Sequence, residues 1–168
     1  MKSKSLNTLV ASYKKQLQIG DIQVAYSKLV KYVTSLKTHC ANTLGHRFEF
    51  GNIFQGYMDY TYFYFTNEHF KGMKLKLGLV LNHSDMRFEL WLLGQTKDIQ
   101  KKYWHLLRHT TWIKTDEIPK YSIFEHILIE QPNFDDLSTL TIQIEKALLQ
   151  TSDRIASTLR SIAKGNNA

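Results

Sequence analysis

Between Lys74 and His109 the chain has little latitude in what it can become. Leu75, Leu77, Leu79 and Leu81 alternate with other residues, a polar turn follows at Asn82-His83-Ser84-Asp85, and Met86 to Leu93 alternates again. Strict alternation puts one set of side chains on one face of a half-buried strand. Gly94 breaks the extended run and Thr96-Lys97-Asp98 opens a helix, with Ile99, Tyr103, Leu106 and Leu107 on its inward side. A β-hairpin that runs directly into an amphipathic helix demands an antiparallel sheet with one face reserved for helices.

The flanking segments extend this plan. Ser5 or Asn7 is placed to cap a first helix whose Leu6, Leu9, Val10, Tyr13 and Leu17 form the stripe of a half-buried helix. Gly20 ends it and Asp21 is expected to cap a second, carrying Ile22, Ala25, Leu29, Val33, Leu36 and Cys40 on one face. So short a link predicts an antiparallel hairpin of helices. Arg47 to Phe54 and Tyr57 to Phe65 read as strands, with Gly51 and Gly56 marking a bulge or turn. Asn67 to Lys71 fits one helical turn, and Thr110 to Lys120 an irregular linker. Ser122 to Glu130 carries two signals. Ser122 with Glu125 matches a capping box, whereas Ile127, Leu128 and Ile129 favour a strand, so a short helical turn running into an edge strand is expected. Asn133 or Asp135 should cap a last helix with Leu137, Leu140, Ile144, Leu148, Ile155, Leu159 and Ile162 in one stripe. Gly165-Asn-Asn-Ala, residues 165–168, is expected to fray.

The expectation is one α+β domain over residues 1–168. It has a helical hairpin at 1–45, antiparallel strands at 46–94, a helix at 96–110, a short helix or strand at 122–131 and a C-terminal helix at 133–164. A mostly antiparallel sheet of about four or five strands packs against these helices. At 168 residues the chain needs no disulfide or metal staple, and its one cysteine, Cys40, cannot form an internal disulfide. That cysteine usage, and the lack of an apolar stretch of signal-peptide or membrane-spanning length, predict a cytoplasmic protein with no membrane association. The formal charge of +7 raises affinity for phosphate on any fold, but the lysines are dispersed along the chain.

The chemistry-bearing residues gather on the second sheet face. Phe88, Leu90 and Leu92 share one face of their strand, while Arg87, Glu89 and Trp91 share the other with a row of tyrosines from the preceding strand. Tyr57, Asp59, Arg87, Glu89 and Trp91 are therefore the candidate ligand-binding set. The bland alternative is that Arg87, Glu89 and nearby lysines form ion pairs on a solvated face. Asp59, within an aromatic strand, requires either a partner such as Arg87 or Arg47 or a raised pKa. Asp59 and Glu89 also offer an acid–base pair, and Glu125-His126 interrupts an apolar row, either as functional groups or as a capping glutamate and an exposed histidine. His105 and His109 have zinc-pair spacing but lack a third ligand and the intervening glutamate. His39-Cys40 and His83-Ser84-Asp85 lack the geometry of nucleophilic sites. No catalytic residue, metal or cofactor is assigned.

Gly56 to Phe63, Arg87 to Gly94, Lys101 to Trp104 and Glu125 to Leu128 together resemble an uncharacterised family of small bacterial proteins. The resemblance spans nearly the whole chain and implies a stand-alone bacterial protein without an established activity. A fainter likeness, by layout from Leu75 onward, is to a domain appended to some bacterial nuclease-like proteins. Three expectations follow. The first is a non-enzymatic binding or accessory protein using the aromatic and charged face. The second is a nucleic-acid-associated protein of a defence or nuclease system, using Lys74, Lys76, Lys101, Lys102 and Arg108. The third is an enzyme with Asp59 and Glu89 as acid and base. A homodimer and weak nucleic-acid binding are the partners left open.

Overall fold

The computed structural model describes residues 4–165. Its elements in chain order are α1 (Leu6–Ile19), α2 (Asp21–Leu44), β1 (Glu49–Phe54), β2 (Tyr60–Thr66), α3 (Glu68–Gly72), β3 (Leu75–Asn82), β4 (Arg87–Gly94), α4 (Lys97–Leu107), β5 (Phe124–Ile129) and α5 (Leu137–Gly165). The five strands form one antiparallel sheet in the order β1-β2-β3-β4-β5, a simple meander. The α+β class, the N-terminal helical hairpin and the long C-terminal helix all stand as the sequence predicts.

Alternation sorts the sheet into two faces. Phe63, Phe65, Leu75, Leu77, Leu79, Leu81, Phe88, Leu90 and Leu92 point into the main core. There they meet Val33, Leu36 and Cys40 of α2, Trp104 and Leu107 of α4, and Leu140, Ile144, Leu148, Ile155 and Leu159 of α5. The helices thus bury their apolar stripes on one face only, which leaves the other without a helical layer.

Several local expectations are corrected. Of the two expected caps of α1 it is Ser5 that serves, as predicted, its hydroxyl accepting from the Thr8 amide. Gly20, in the left-handed region at φ 86°, both ends α1 and precedes α2, so Asp21 is the first helical residue rather than the cap. The α1 stripe is not half-buried: no residue of α1 is buried, and Leu6 is 74 % exposed. Ile22 at the start of α2 is exposed as well, and burial begins at Tyr32. Gly20 alone links the two helices of the hairpin, and the α1 stripe gains no burial from it.

β2 starts at Tyr60, three residues later than predicted, because Gly56 (φ 71°) and Met58 (φ 60°) turn the chain first. The β1–β2 register shifts between Phe50 and Ile53, the irregularity that Gly51 foreshadows. At Ser122 the serine hydroxyl does donate to Glu125 Oε1 at 2.9 Å, but no helix follows. The ladder on β4 takes the segment as edge strand β5, because pairing with a buried neighbour outweighs a local cap. α5 begins at Leu137, and Asp136 caps it by accepting from the Thr139 amide, while Asn133 instead accepts from the Asp135 amide. α4 ends at Leu107, so His109 lies beyond the helix. Of the segment expected to fray, Gly165 is instead the last residue of α5, and 166–168 lie outside the described residues.

Candidate ligand site on the helix-free sheet face

The helix-free face is built in cross-strand rows. One row pairs Phe54 with Tyr62, Tyr62 with Val80, Val80 with Glu89, and Glu89 with Ile127. The next pairs Tyr64 with Gly78, Gly78 with Trp91, and Trp91 with Glu125. Phe54 stacks on Tyr62 at 5.0 Å between centroids, and Tyr60 meets Trp91 edge-on at 5.0 Å. Val80, Trp91 and Leu93 form a small second core under Tyr60, Tyr62 and Tyr64. Gly78 matters here because it has no side chain. A Cβ would lie 3.2 Å from Leu93 Cδ1 and 3.4 Å from Tyr64 Cδ1, so the bare backbone lets the Tyr64 ring lie across the sheet.

These rings border a hollow of about 330 Å³ lined by Tyr60, Tyr62, Tyr64, Trp91, Leu93 and Tyr121, with Gly56, Asp59 and Val80 completing it. No helix contributes to the lining. Its one carboxylate, Asp59, sits in the β1–β2 turn rather than inside a strand. Asp59 Oδ1 accepts from the backbone amides of Tyr57 and Tyr60, both at 2.7 Å. Those two donors hold its pKa below the ordinary carboxylate value, where either an arginine partner or a raised pKa is expected. Asp59 pairs with neither Arg87 nor Arg47. Arg47 bonds Asp153, and Oδ2 of Asp59 has no donor among the described residues.

The turn that presents Asp59 is tied to the helices. Tyr26 of α2 donates to the carbonyls of Gln55 (3.0 Å) and Gly56 (3.1 Å). Thr61 Oγ1 donates to the Gln55 carbonyl at 2.8 Å, and His83 Nε2 lies 2.7 Å from the same hydroxyl. The Thr61 proton is committed to Gln55, so His83 Nε2 carries a proton and donates to Thr61. Burial lowers the His83 pKa, with Asp59 acting in the opposite direction.

Arg87, Glu89 and Trp91 are brought together, though as a closed unit. Glu89 is 1 % exposed. Its Oε1 accepts from Arg87 Nε at 2.6 Å and from Asn82 Nδ2 at 3.2 Å, and its Oε2 accepts from Trp91 Nε1 at 2.7 Å. Arg87 also reaches Asp85 and Glu130. The ion pair therefore runs along one strand, between residues two apart, and the lysines take no part in it. Tyr57 does not join the face: it stands 92 % exposed at the turn.

The tyrosines are the strongest contributors that the candidate set omits. Burial raises the Tyr60 pKa, with Glu125, Glu89 and Asp59 adding to it, and pushes Tyr64 up to about 12. Both phenols are therefore protonated near neutrality. Lys76 places its ammonium 3.7 Å from the Tyr64 ring centroid, and burial lowers its pKa. Tyr60, Tyr62 and Tyr64 are legible from alternation. Tyr121 arrives from the linker, where no periodic signal exists. Glu125, beside the face, has its pKa raised by burial, while the Ser122 hydroxyl pulls it the other way.

A family model described as Domain of unknown function (DUF7000) matches residues 6–159. The chain belongs to the DUF7000 family. That family carries no assigned activity, in keeping with the resemblance to an uncharacterised family. No curated protein and no solved structure matches the chain. The match begins at the first residue of α1 and ends within α5, so every element of the DUF7000 fold described above, including the exposed first helix, lies within it or overlaps it.

The remaining candidates are dispersed. Lys76 stands on the sheet face and Lys74 at its β3 margin, whereas Lys101 and Lys102 are exposed on α4, which packs on the opposite face. Arg108 lies over the Trp104 ring at 5.6 Å. Among the described residues no group of three His, Cys, Asp or Glu side chains is placed to hold a metal. Cys40 is buried in the main core, its thiol pushed up to about 12 by burial. No described helix is long and apolar enough to cross a membrane.

Proposed function

We propose that this is a non-enzymatic binding or accessory protein of the bacterial cytoplasm, whose ligand lies in the aromatic hollow of the sheet. The observation that carries the reading is a ring-lined hollow, within the volume range of small-molecule sites, on a face that no helix covers. Its chemistry suits a small, flat, largely apolar ligand with one hydrogen-bond donor. The tyrosine rings, packed over the buried Trp91, supply stacking surfaces. The protonated Tyr60 hydroxyl supplies a donor, and the unoccupied Oδ2 of Asp59 supplies an ionised acceptor.

An acid–base enzyme is less well supported, since both oxygens of Glu89 are engaged by Arg87, Asn82 and Trp91. A nucleic-acid role is also less well supported, because the basic residues divide between opposite sides of the sheet. The test is a thermal-shift panel of nucleosides, aromatic amines and planar heterocycles, followed by titration of Trp91 fluorescence in a background with Trp104 and Trp112 replaced by Phe. A compound that raises the melting temperature, quenches Trp91 and loses affinity in Tyr62→Ala is the expected result. Binding that is indifferent to both Tyr62→Ala and Asp59→Asn sinks the proposal.

A further inference from the structure

The first helix and the cleft between α2 and α5 are each unpartnered, and they match one another. α1 carries Leu6, Leu9, Val10, Tyr13 and Leu17 on one stripe, and all five are exposed, Tyr13 by 64 %. A 14-residue helix alone is marginal in water, so one that buries nothing on its own chain lacks the packing that normally sustains it. The cleft has a volume of about 1060 Å³. Ala25, Leu29 and Tyr32 of α2 wall one side, and Phe134, Leu137 and Ile142 the other. Ile142 is 66 % exposed.

We propose that the chain forms a two-fold dimer in which α1 of each copy lies in the α2–α5 cleft of the other. Three observations select a second copy as the occupant. The first is length: α1 spans about 21 Å, and the α2 residues along the cleft, Ala25 to His39, span about the same. The second is the tether. Gly20 alone separates α1 from α2, and packed helix axes need to stand roughly 8–10 Å apart, so α1 does not reach flat into its own cleft. The third is area. Each stripe side chain exposes on the order of 100 Å² of surface, so seating both helices in both clefts removes roughly 1,500 Å², within the range that stable specific interfaces bury. The exchange is reciprocal and closes after two copies, as an isologous interface must.

The test uses the full chain and two double variants at exposed positions, Leu9→Glu with Tyr13→Glu on α1 and Leu137→Glu with Ile142→Glu in the cleft. Circular dichroism checks that both stay folded. Analytical ultracentrifugation at micromolar concentration is expected to give a dimer for the native chain and a monomer for each variant alone. An equimolar mixture of the two variants should recover a dimer, weaker than the native one, because one native α1 can still enter one native cleft. A monomeric native chain, a dimer that survives either variant, or a mixture that stays monomeric overturns the proposal. A dimer that survives only the cleft variant would indicate α1–α1 contact instead, and one that survives only the α1 variant cleft–cleft contact.

Discussion

Glu89 is a buried carboxylate, so its three donors determine how much of its desolvation is offset. Asn82, Arg87 and Trp91 between them occupy both oxygens. Glu89→Ala would strand the Trp91 N–H and leave the Arg87 charge without its nearest partner. Arg87 retains some solvent and two other carboxylates, so the expected loss is about 2–3 kcal/mol, below that for breaking a fully buried pair. Glu89→Gln keeps an acceptor for Trp91 and should cost less. Urea midpoints of the two variants check both the size and the order. His83 gives a second prediction at this scale. Its pKa is lowered in the folded state by burial, so the unfolded chain takes up the proton first as pH falls. Its neutral form then supports the fold above the ordinary histidine pKa near 6.5, and that support is lost as pH drops through it toward the lower folded value. His126, also lowered by burial, acts with the same sign. Stability measured by urea at stepped pH should fall from pH 7 to 5, and His83→Gln should flatten that fall while lowering the neutral plateau.

At the scale of elements, the β1–β2 turn links the helix layer to the candidate site. Gly56 has φ 71°, and a Cβ there would lie 2.0 Å from the Tyr60 carbonyl oxygen and 2.7 Å from Asp59 Oδ1. Gly56→Ala is expected to cost about 1–3 kcal/mol and to weaken ligand binding further, because it displaces Asp59. Paired thermal-shift and fluorescence titrations separate the two effects. The same elements show what a sequence can carry. Leu75 to Leu81 and Phe88 to Leu92 were readable because their alternation coincides with burial on one face. The tyrosine row was readable by the same period. Asp59 was misplaced because its neighbours are all good strand formers, while the left-handed Met58 that turns the chain carries no local sign. The Ser122–Glu125 pair was equally misleading, since a hydroxyl and a carboxylate three residues apart can bond outside a helix. α1 shows the reverse limit. Its stripe is legible as apolar and helical, but periodicity does not say what surface, if any, covers it.

At the scale of the whole molecule, net charge and its placement lead to different expectations for nucleic acid. A formal +7 predicts attraction to any polyanion, and counterion release makes such attraction steeply salt-dependent. A docking surface would require the cations to converge where bases could stack. The sheet face has the rings, yet Lys76 is engaged with Tyr64, and Asp59 adds negative charge at the hollow. Lys101 and Lys102 lie on α4, across the sheet from those rings. A strand cannot stack on Tyr62 and Trp91 while neutralising its phosphates on that helix. Fluorescence-anisotropy titration with labelled single- and double-stranded oligonucleotides should therefore show weak binding at low salt, lost on modest addition of salt and equal for the two strand types. Lys101→Ala with Lys102→Ala should reduce it about as much as removing any other two exposed lysines. Single-strand preference that persists at higher salt and falls on Tyr62→Ala would instead make the aromatic face a base-stacking platform, and the small-ligand reading of the hollow would fail with it.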